Sequence, residues 1–232
     1  MPSRPKRDGN GQQRQRQRRQ TQQNGPGPEP PGVSLKILNK PQVVAMEDTE
    51  QLLTVNDALT SAECTEWITF AEALGMASTR PPGGKPRRGE AYRDNFRTQI
   101  TSRKIADSLW NAGLGRLLVD ALPPLRDGRR PVAFNDNIRL YRYSKGQKFG
   151  KHFDETASDS IGRNTVYTTL VYLSAVRGGE TVFYPQKNEE IIVAPRAGMA
   201  LFHRHGIDCW LHEALPVASG EKYVLRTDVV FG

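Results

Sequence analysis

Two side chains with metal-binding donors stand two positions apart in the stretch KHFDETA: the imidazole of His152 and the carboxylate of Asp154. A His-x-Asp pair is weak by itself, because it arises by chance in many chains and reads equally well as a strand pair with a local hydrogen bond. A metal needs at least one donor more. The chain has four histidines, which leaves His203, His205 and His212 as candidates some 50 to 60 positions downstream.

Two histidines and one carboxylate on one face of an iron leave three coordination positions open, the arrangement of non-haem Fe(II) oxygenases. If those positions take a 2-oxo acid, its far carboxylate requires a fixed cation on a strand just beyond the third ligand. Ten residues on from His203 stands Glu213, from His205 Leu215, and from His212 Lys222, so only His212 leads to a basic residue. A lysine pointing into a barrel needs an anion, since burying a lone ammonium is costly. His203 and His205, in FHRH, then read as polar strand-end residues near the mouth with no catalytic role.

These residues have to be carried by strands. EKYVLRTDVVF alternates cleanly, with Tyr223, Leu225, Thr227, Val229 and Phe231 on one face and Lys222, Val224, Arg226, Asp228 and Val230 on the other. NIRLYRY, TVYTTLVYL, ETVFYP, EIIVAP and GMALFH are further short β-type runs separated by turn residues. Upstream the period is helical. Thr60 or Ser61 can cap a helix with Ala62, Trp67, Ile68, Ala71 and Leu74 at helical spacing, and SRKIADSLWNAGLGRLLVDAL is a second amphipathic region. Trp67 and Trp110 read as core. The expectation is a mainly β fold: a double-stranded β-helix (jelly-roll) core over 131–232, with supporting N-terminal α-helices and a lid region over 33–130. The stretch 80–95 reads as a Gly/Pro/Arg-rich loop, and Arg93, Asn95 and Arg97, at and just past its end, could line a substrate lid.

Composition narrows the class. At 232 residues the chain reads as one main domain, and no run of 18 apolar residues marks a membrane span. Two cysteines 145 positions apart, without an apolar leader, favour a reducing compartment, cytoplasmic or nuclear. The net charge of +8 is uneven: residues 1–32 carry +5 and the rest only +3. That arm is Gln, Arg, Gly and Pro with almost nothing apolar, and is read as disordered. It suits a solvated tail, a nuclear address, or a weak RNA or anionic-surface contact.

The blocks RLYRYSKGQKFGKHFDETA, TTLVYLS, GGETVFYP, VAPRAGMALF and LHEALPVASGEKYVLRTDVVF, in that order, resemble the 2-oxoglutarate/Fe(II)-dependent dioxygenase family, prolyl 4-hydroxylase type. The resemblance covers about 131–232 well and 50–130 more weakly. It implies that His152, Asp154 and His212 bind Fe(2+), that Lys222 holds the distal carboxylate of 2-oxoglutarate, and that Tyr143 and Thr168 contact this cosubstrate. Arg226 is the substitute anchor. It also implies O2 and a protein or peptide substrate as partners, succinate and CO2 as products, and L-ascorbate as the reductant that rescues oxidised iron. Two positions depart from the family pattern, Phe149 and Asp228, where an aromatic hydroxyl and a tryptophan are usual; both are read as concerning substrate, which weakens a collagen-like prolyl peptide. The alternatives are a cupin-like metal protein without 2-oxoglutarate, which leaves Lys222 unexplained, and an oxygenase of a nucleic-acid-associated substrate, against which the body's small excess charge counts.

Overall fold

A computed structural model describes residues 43–45, 51–80 and 84–232. The basic arm, 1–32, lies outside the described residues. In chain order the elements are β1 (Val43–Ala45), β2 (Leu52–Val55), α1 (Ser61–Leu74), β3 (Ala77–Ser78), β4 (Phe96–Thr101), α2 (Arg103–Leu109), a π-helical turn (Trp110–Leu114) and α3 (Gly115–Ala121). The strand-rich half follows: β5 (Pro131–Phe134), β6 (Asn137–Tyr143), β7 (Phe149–His152), β8 (Thr165–Tyr172), β9 (Arg177–Gly178), β10 (Thr181–Tyr184), β11 (Ile191–Val193), β12 (Ala200–Arg204), β13 (Leu211–Ala214), β14 (Val217–Ser219) and β15 (Lys222–Phe231).

The strands form two layers. The large sheet runs β1-β2-β12-β8-β15-β6-β4-β3, with β5 also on β15, and the small sheet runs β11-β10-β13-β7. Pairing is antiparallel throughout. This is the mainly β jelly roll expected from the strand spacing. The alternation of β15 divides its side chains as read: Tyr223, Leu225, Val229 and Phe231 join the core beneath the helices, while Val224 joins the smaller cluster between the sheets.

The helices close the outer face of the large sheet. Helix α1 opens with a full capping box, in which the Glu63 amide donates to Thr60 Oγ1 at 3.2 Å and the Thr60 amide donates to Glu63 Oε2 at 2.8 Å. It buries Trp67 and Phe70 against the sheet.

The N-terminal region is more than helical support. Strand β2 pairs with β12, and β4 pairs with β6, so residues upstream of 131 extend the large sheet itself. Short length hid the first, at four residues, and composition hid the second: FRTQIT alternates half-buried with exposed, and its polar residues mask the strand period.

A tight contact fastens α1's entry to the barrel. The Leu59 amide donates to Gly198 O at 3.1 Å, and Gly198 has φ +82°, where an added Cβ would run into Leu59 O. Gly198→Ala is therefore expected to destabilise the fold by about 2–4 kcal/mol, from left-handed strain plus overpacking. Thermal unfolding would show a fall in Tm of about 5–15 °C; an unchanged Tm would contradict this contact.

Candidate active site

Strands β7 and β13 are neighbours in the small sheet, and their register puts His152 directly opposite His212. The ring centroids are 4.2 Å apart. Each ring is oriented by the same local device, a bond from Nδ1–H to the carbonyl two residues earlier: Gly150 O at 2.8 Å for His152 and Trp210 O at 2.9 Å for His212. That tautomer leaves Nε2 with its lone pair, the form a metal ligand needs. The two Nε2 atoms lie 3.7 and 3.8 Å from opposite oxygens of the Asp154 carboxylate. Phe149 stacks on His152 with centroids 3.6 Å apart and holds the ring from its outer side.

Electrostatics set the protonation. Burial, with His212 alongside, pushes His152 down to about 4, and burial also lowers His212. Burial of Asp154 would raise its carboxyl, but Arg226 first and then the surrounding imidazoles outweigh it and hold the group well below the carboxylate range. At neutral pH the trio is two neutral imidazoles and one carboxylate. Their donor atoms lie within 4.8 Å of one another. Nitrogen, nitrogen and oxygen in this protonation state fit the 2-His-1-carboxylate set of a non-haem Fe(II).

Asp154 is pinned from behind. Oδ1 accepts from Arg226 Nη1 at 3.1 Å, and Oδ2 accepts from Thr168 Oγ1 at 2.8 Å. Asp228, buried, lies 3.5 Å from Arg226 Nε and steadies that guanidinium. Asp228 therefore bears on the residue that holds the carboxylate, and not on substrate as its position suggested. Thr168 likewise sits between Asp154 and His205 Nδ1, 3.1 Å away, behind the cavity rather than on its wall.

Lys222 occupies the far end of the inner cavity, opposite Tyr143 in register. Its Nζ donates to Gly179 O at 2.6 Å and lies 5.5 and 5.2 Å from the ring centres of Tyr143 and Tyr172. Burial brings the ammonium down to about 7, against a smaller upward pull from Glu180. Burial raises Tyr143 to about 12, so it remains a neutral phenol. Among the described residues no carboxylate pairs with Lys222: a buried cation at the end of a cavity that starts at a metal-type cluster.

The histidines of FHRH do stand at the end of β12, His203 next to last in it and His205 just past it, but not as polar residues at the mouth. Both are buried. His205 bonds Thr165 Oγ1 at 3.0 Å and Thr168. His203 is on the cavity wall, with Nε2 3.5 Å from Asp154 Oδ2 and its ring 4.6 Å from His212. The signal that could have placed it was present: in β12, Leu201 and His203 alternate against Ala200 and Phe202, which face the helices.

Outside the metal-type cluster a groove of about 760 Å³ opens, walled by Arg93, Arg97 and Arg139 and by Phe153 and Glu155. Arg93 and Arg97 thus reach the groove; Asn95 is buried and braces Arg93 Nε at 2.8 Å.

Comparison with known proteins follows the same outline. Residues 138–227 match the family model of the 2OG-Fe(II) oxygenase superfamily. Fold and match together make this segment a 2OG-Fe(II) oxygenase core. Within that class the curated proteins it matches are prolyl 4-hydroxylases. Probable prolyl 4-hydroxylase 7 of Arabidopsis thaliana is 32% identical over an alignment covering 40% of this chain and 37% of that protein. Prolyl 4-hydroxylase 2 of the same plant is 25% identical over 81% of this chain and 69% of its own. The chain spans about two fifths of the length of most of the curated relatives it matches. Among solved structures, a viral collagen prolyl hydroxylase from Paramecium Bursaria Chlorella virus-1, in complex with 2OG, superposes with TM-score 0.58 at 20% identity, covering 80% of this chain and 99% of that one. A Trichoplax adhaerens prolyl hydroxylase in complex with a hypoxia inducible factor peptide fragment superposes with TM-score 0.54 at 17% identity, covering 79% and 84%.

Proposed function

We propose that this chain is a 2-oxoglutarate- and Fe(II)-dependent dioxygenase that hydroxylates a C–H bond of a prolyl or related residue in a protein or peptide. The observation that carries the reading is the pairing of His152, Asp154 and His212 with a buried Lys222 that lacks an anion. His152, Asp154 and His212 would hold Fe(2+), and Lys222 and Tyr143 would hold the far carboxylate of 2-oxoglutarate. When bound, iron supplies oxidative decarboxylation of the cosubstrate coupled to hydroxylation, so that R–H, O2 and 2-oxoglutarate become R–OH, succinate and CO2. The protein supplies position and dryness. Backbone carbonyls of Gly150 and Trp210 fix the ligating nitrogens, Thr168 and Arg226 fix the carboxylate, and Leu170 and Val224 keep the inner cavity apolar. Tyr143, a phenol at working pH, would donate a hydrogen bond to that carboxylate beside the lysine. L-ascorbate is the expected reductant for iron oxidised in uncoupled cycles.

Succinate formation by the purified protein with Fe(II), 2-oxoglutarate and ascorbate tests this, since slow uncoupled turnover needs no substrate. Asp154→Ala is expected to reduce it at least about 100-fold, to the level of free iron. Equal succinate from both proteins would refute the reading.

A further inference from the structure

The groove outside the metal-type cluster carries an unbalanced charge. Arg93, Arg97, Arg139 and Lys151 face Glu90 and Glu155 across it, while Asp154 and Arg226 neutralise each other at its floor. Glu90 is itself engaged, 3.4 Å from Arg80 and accepting from the Arg87 amide at 2.8 Å.

The arginines are ordered by the sheet. Arg139 on β6 stands directly opposite Arg226 on β15, and Arg97 on the next strand, β4, stands opposite Tyr141, two residues along from Arg139. Like charges directly opposite one another are unfavourable unless each is compensated. Arg226 has Asp154 and Asp228. Arg139 and Arg97 have no carboxylate partner among the described residues, and Arg97 Nη2 reaches only the amide oxygen of Gln99 at 3.0 Å. Arg93 lies over the rings of Tyr141 and Phe149, 4.6 Å from each centre, and its Nη2 is buried without a hydrogen-bond partner. Phe153, 61% exposed, lines the same groove and offers an apolar surface to a bound chain.

We propose that this groove selects an acidic peptide, in which Asp or Glu near the hydroxylated residue pairs with Arg139 and Arg97. Successive strands are about 4.8 Å apart and residues about 3.3 Å, so Arg139 lies roughly 5 Å from Arg226 and Arg97, two strands over and two residues along, roughly 12 Å, which is about two to four residues of extended chain. The cations form a compact cluster at one side of the groove, not the long basic track with interleaved aromatics that a nucleic-acid strand follows. The proposal rests on the oxygenase reading for where the reacting residue lies, but the charge preference is measurable without turnover.

The test is a binding selection on the full chain with a randomised nonapeptide library holding proline at the centre. Asp and Glu are expected to be enriched at least about fivefold two to four positions from the proline, falling as salt rises. Arg97→Glu/Arg139→Glu is expected to abolish that enrichment or turn it towards Lys and Arg; Arg97→Gln/Arg139→Gln, which is milder, should abolish it and serves if the reversal does not fold. No acidic enrichment, the same enrichment in the variants, or a single-stranded oligonucleotide displacing the peptides from these arginines would each overturn the proposal. Loss of the Asp154-dependent succinate signal with the acidic preference intact would instead sink the oxygenase reading alone.

Discussion

His212→Ala and His152→Ala proteins are expected to lose Fe(II) or Co(II) binding by at least about 100-fold and succinate formation to background, since mispositioning a ligand through its outer hydrogen bonds alone costs about 10–100-fold. Cys209→Ala is the informative partner variant. A second donor group, His203–Cys209–His212, overlaps the first through His212. The hydrogen bonds decide between them. His212 Nδ1 is the nitrogen nearer Cys209, with Sγ 3.9 Å away, but it is committed to Trp210 O at 2.9 Å. The thiol is also raised by burial to about 11, and it accepts the Asp154 amide at 3.3 Å. Cys209 therefore remains a protonated thiol that props the Asp154 backbone. Cys209→Ala should keep metal affinity within a few-fold, read by Co(II) absorption. Loss of metal in Cys209→Ala with retention in His152→Ala would relocate the centre.

Lys222→Ala is expected to weaken 2-oxoglutarate binding by about 30-fold or more, with a smaller effect on kcat, because truncating one partner of a buried charge pair costs roughly 2–5 kcal/mol. The pH dependence carries more information. Burial holds the empty-site ammonium at about 7, and an incoming dicarboxylate favours its charged form. Below pH 7 the lysine is already protonated and affinity is at its plateau. Above pH 7 binding must take up a proton, so the apparent Kd should rise by up to about 50-fold between pH 7 and pH 9. Titration of 2-oxoglutarate into the Mn(II)-loaded protein measures this directly. Lys222→Arg, charged throughout, should flatten the profile. A flat profile in the unmodified protein would pass the anchor to Arg226, whose guanidinium its two carboxylates keep charged at every working pH, although burial opposes this.

Much of this arrangement was legible in the chain because strand periodicity is local. The two-residue period of β15 puts Lys222, Val224 and Arg226 on one face, and the structure keeps them together on the cavity wall. The His-x-Asp spacing and the lysine ten positions past His212 are also one-dimensional features, readable once the chemistry of a bound 2-oxo acid is considered.

What the chain could not show are relations between segments far apart. Nothing local marks the bond from Arg226 to Asp154, 72 positions apart, or distinguishes Thr168 behind the carboxylate from Thr168 on the cavity wall. FHRH reads as a polar strand end and His203 does stand there, yet the pairing of β12 with β8 and β2 buries it beside Asp154. Strands β2 and β4 carry little local signal because one is short and the other polar, and cross-strand pairing, not composition, holds them in the large sheet. The sequence by itself determined which side chains share a strand face, since backbone geometry alternates them without reference to the rest of the fold. Only the tertiary structure decided which faces meet, because register and sheet-on-sheet packing depend on contacts between segments that the local period does not encode.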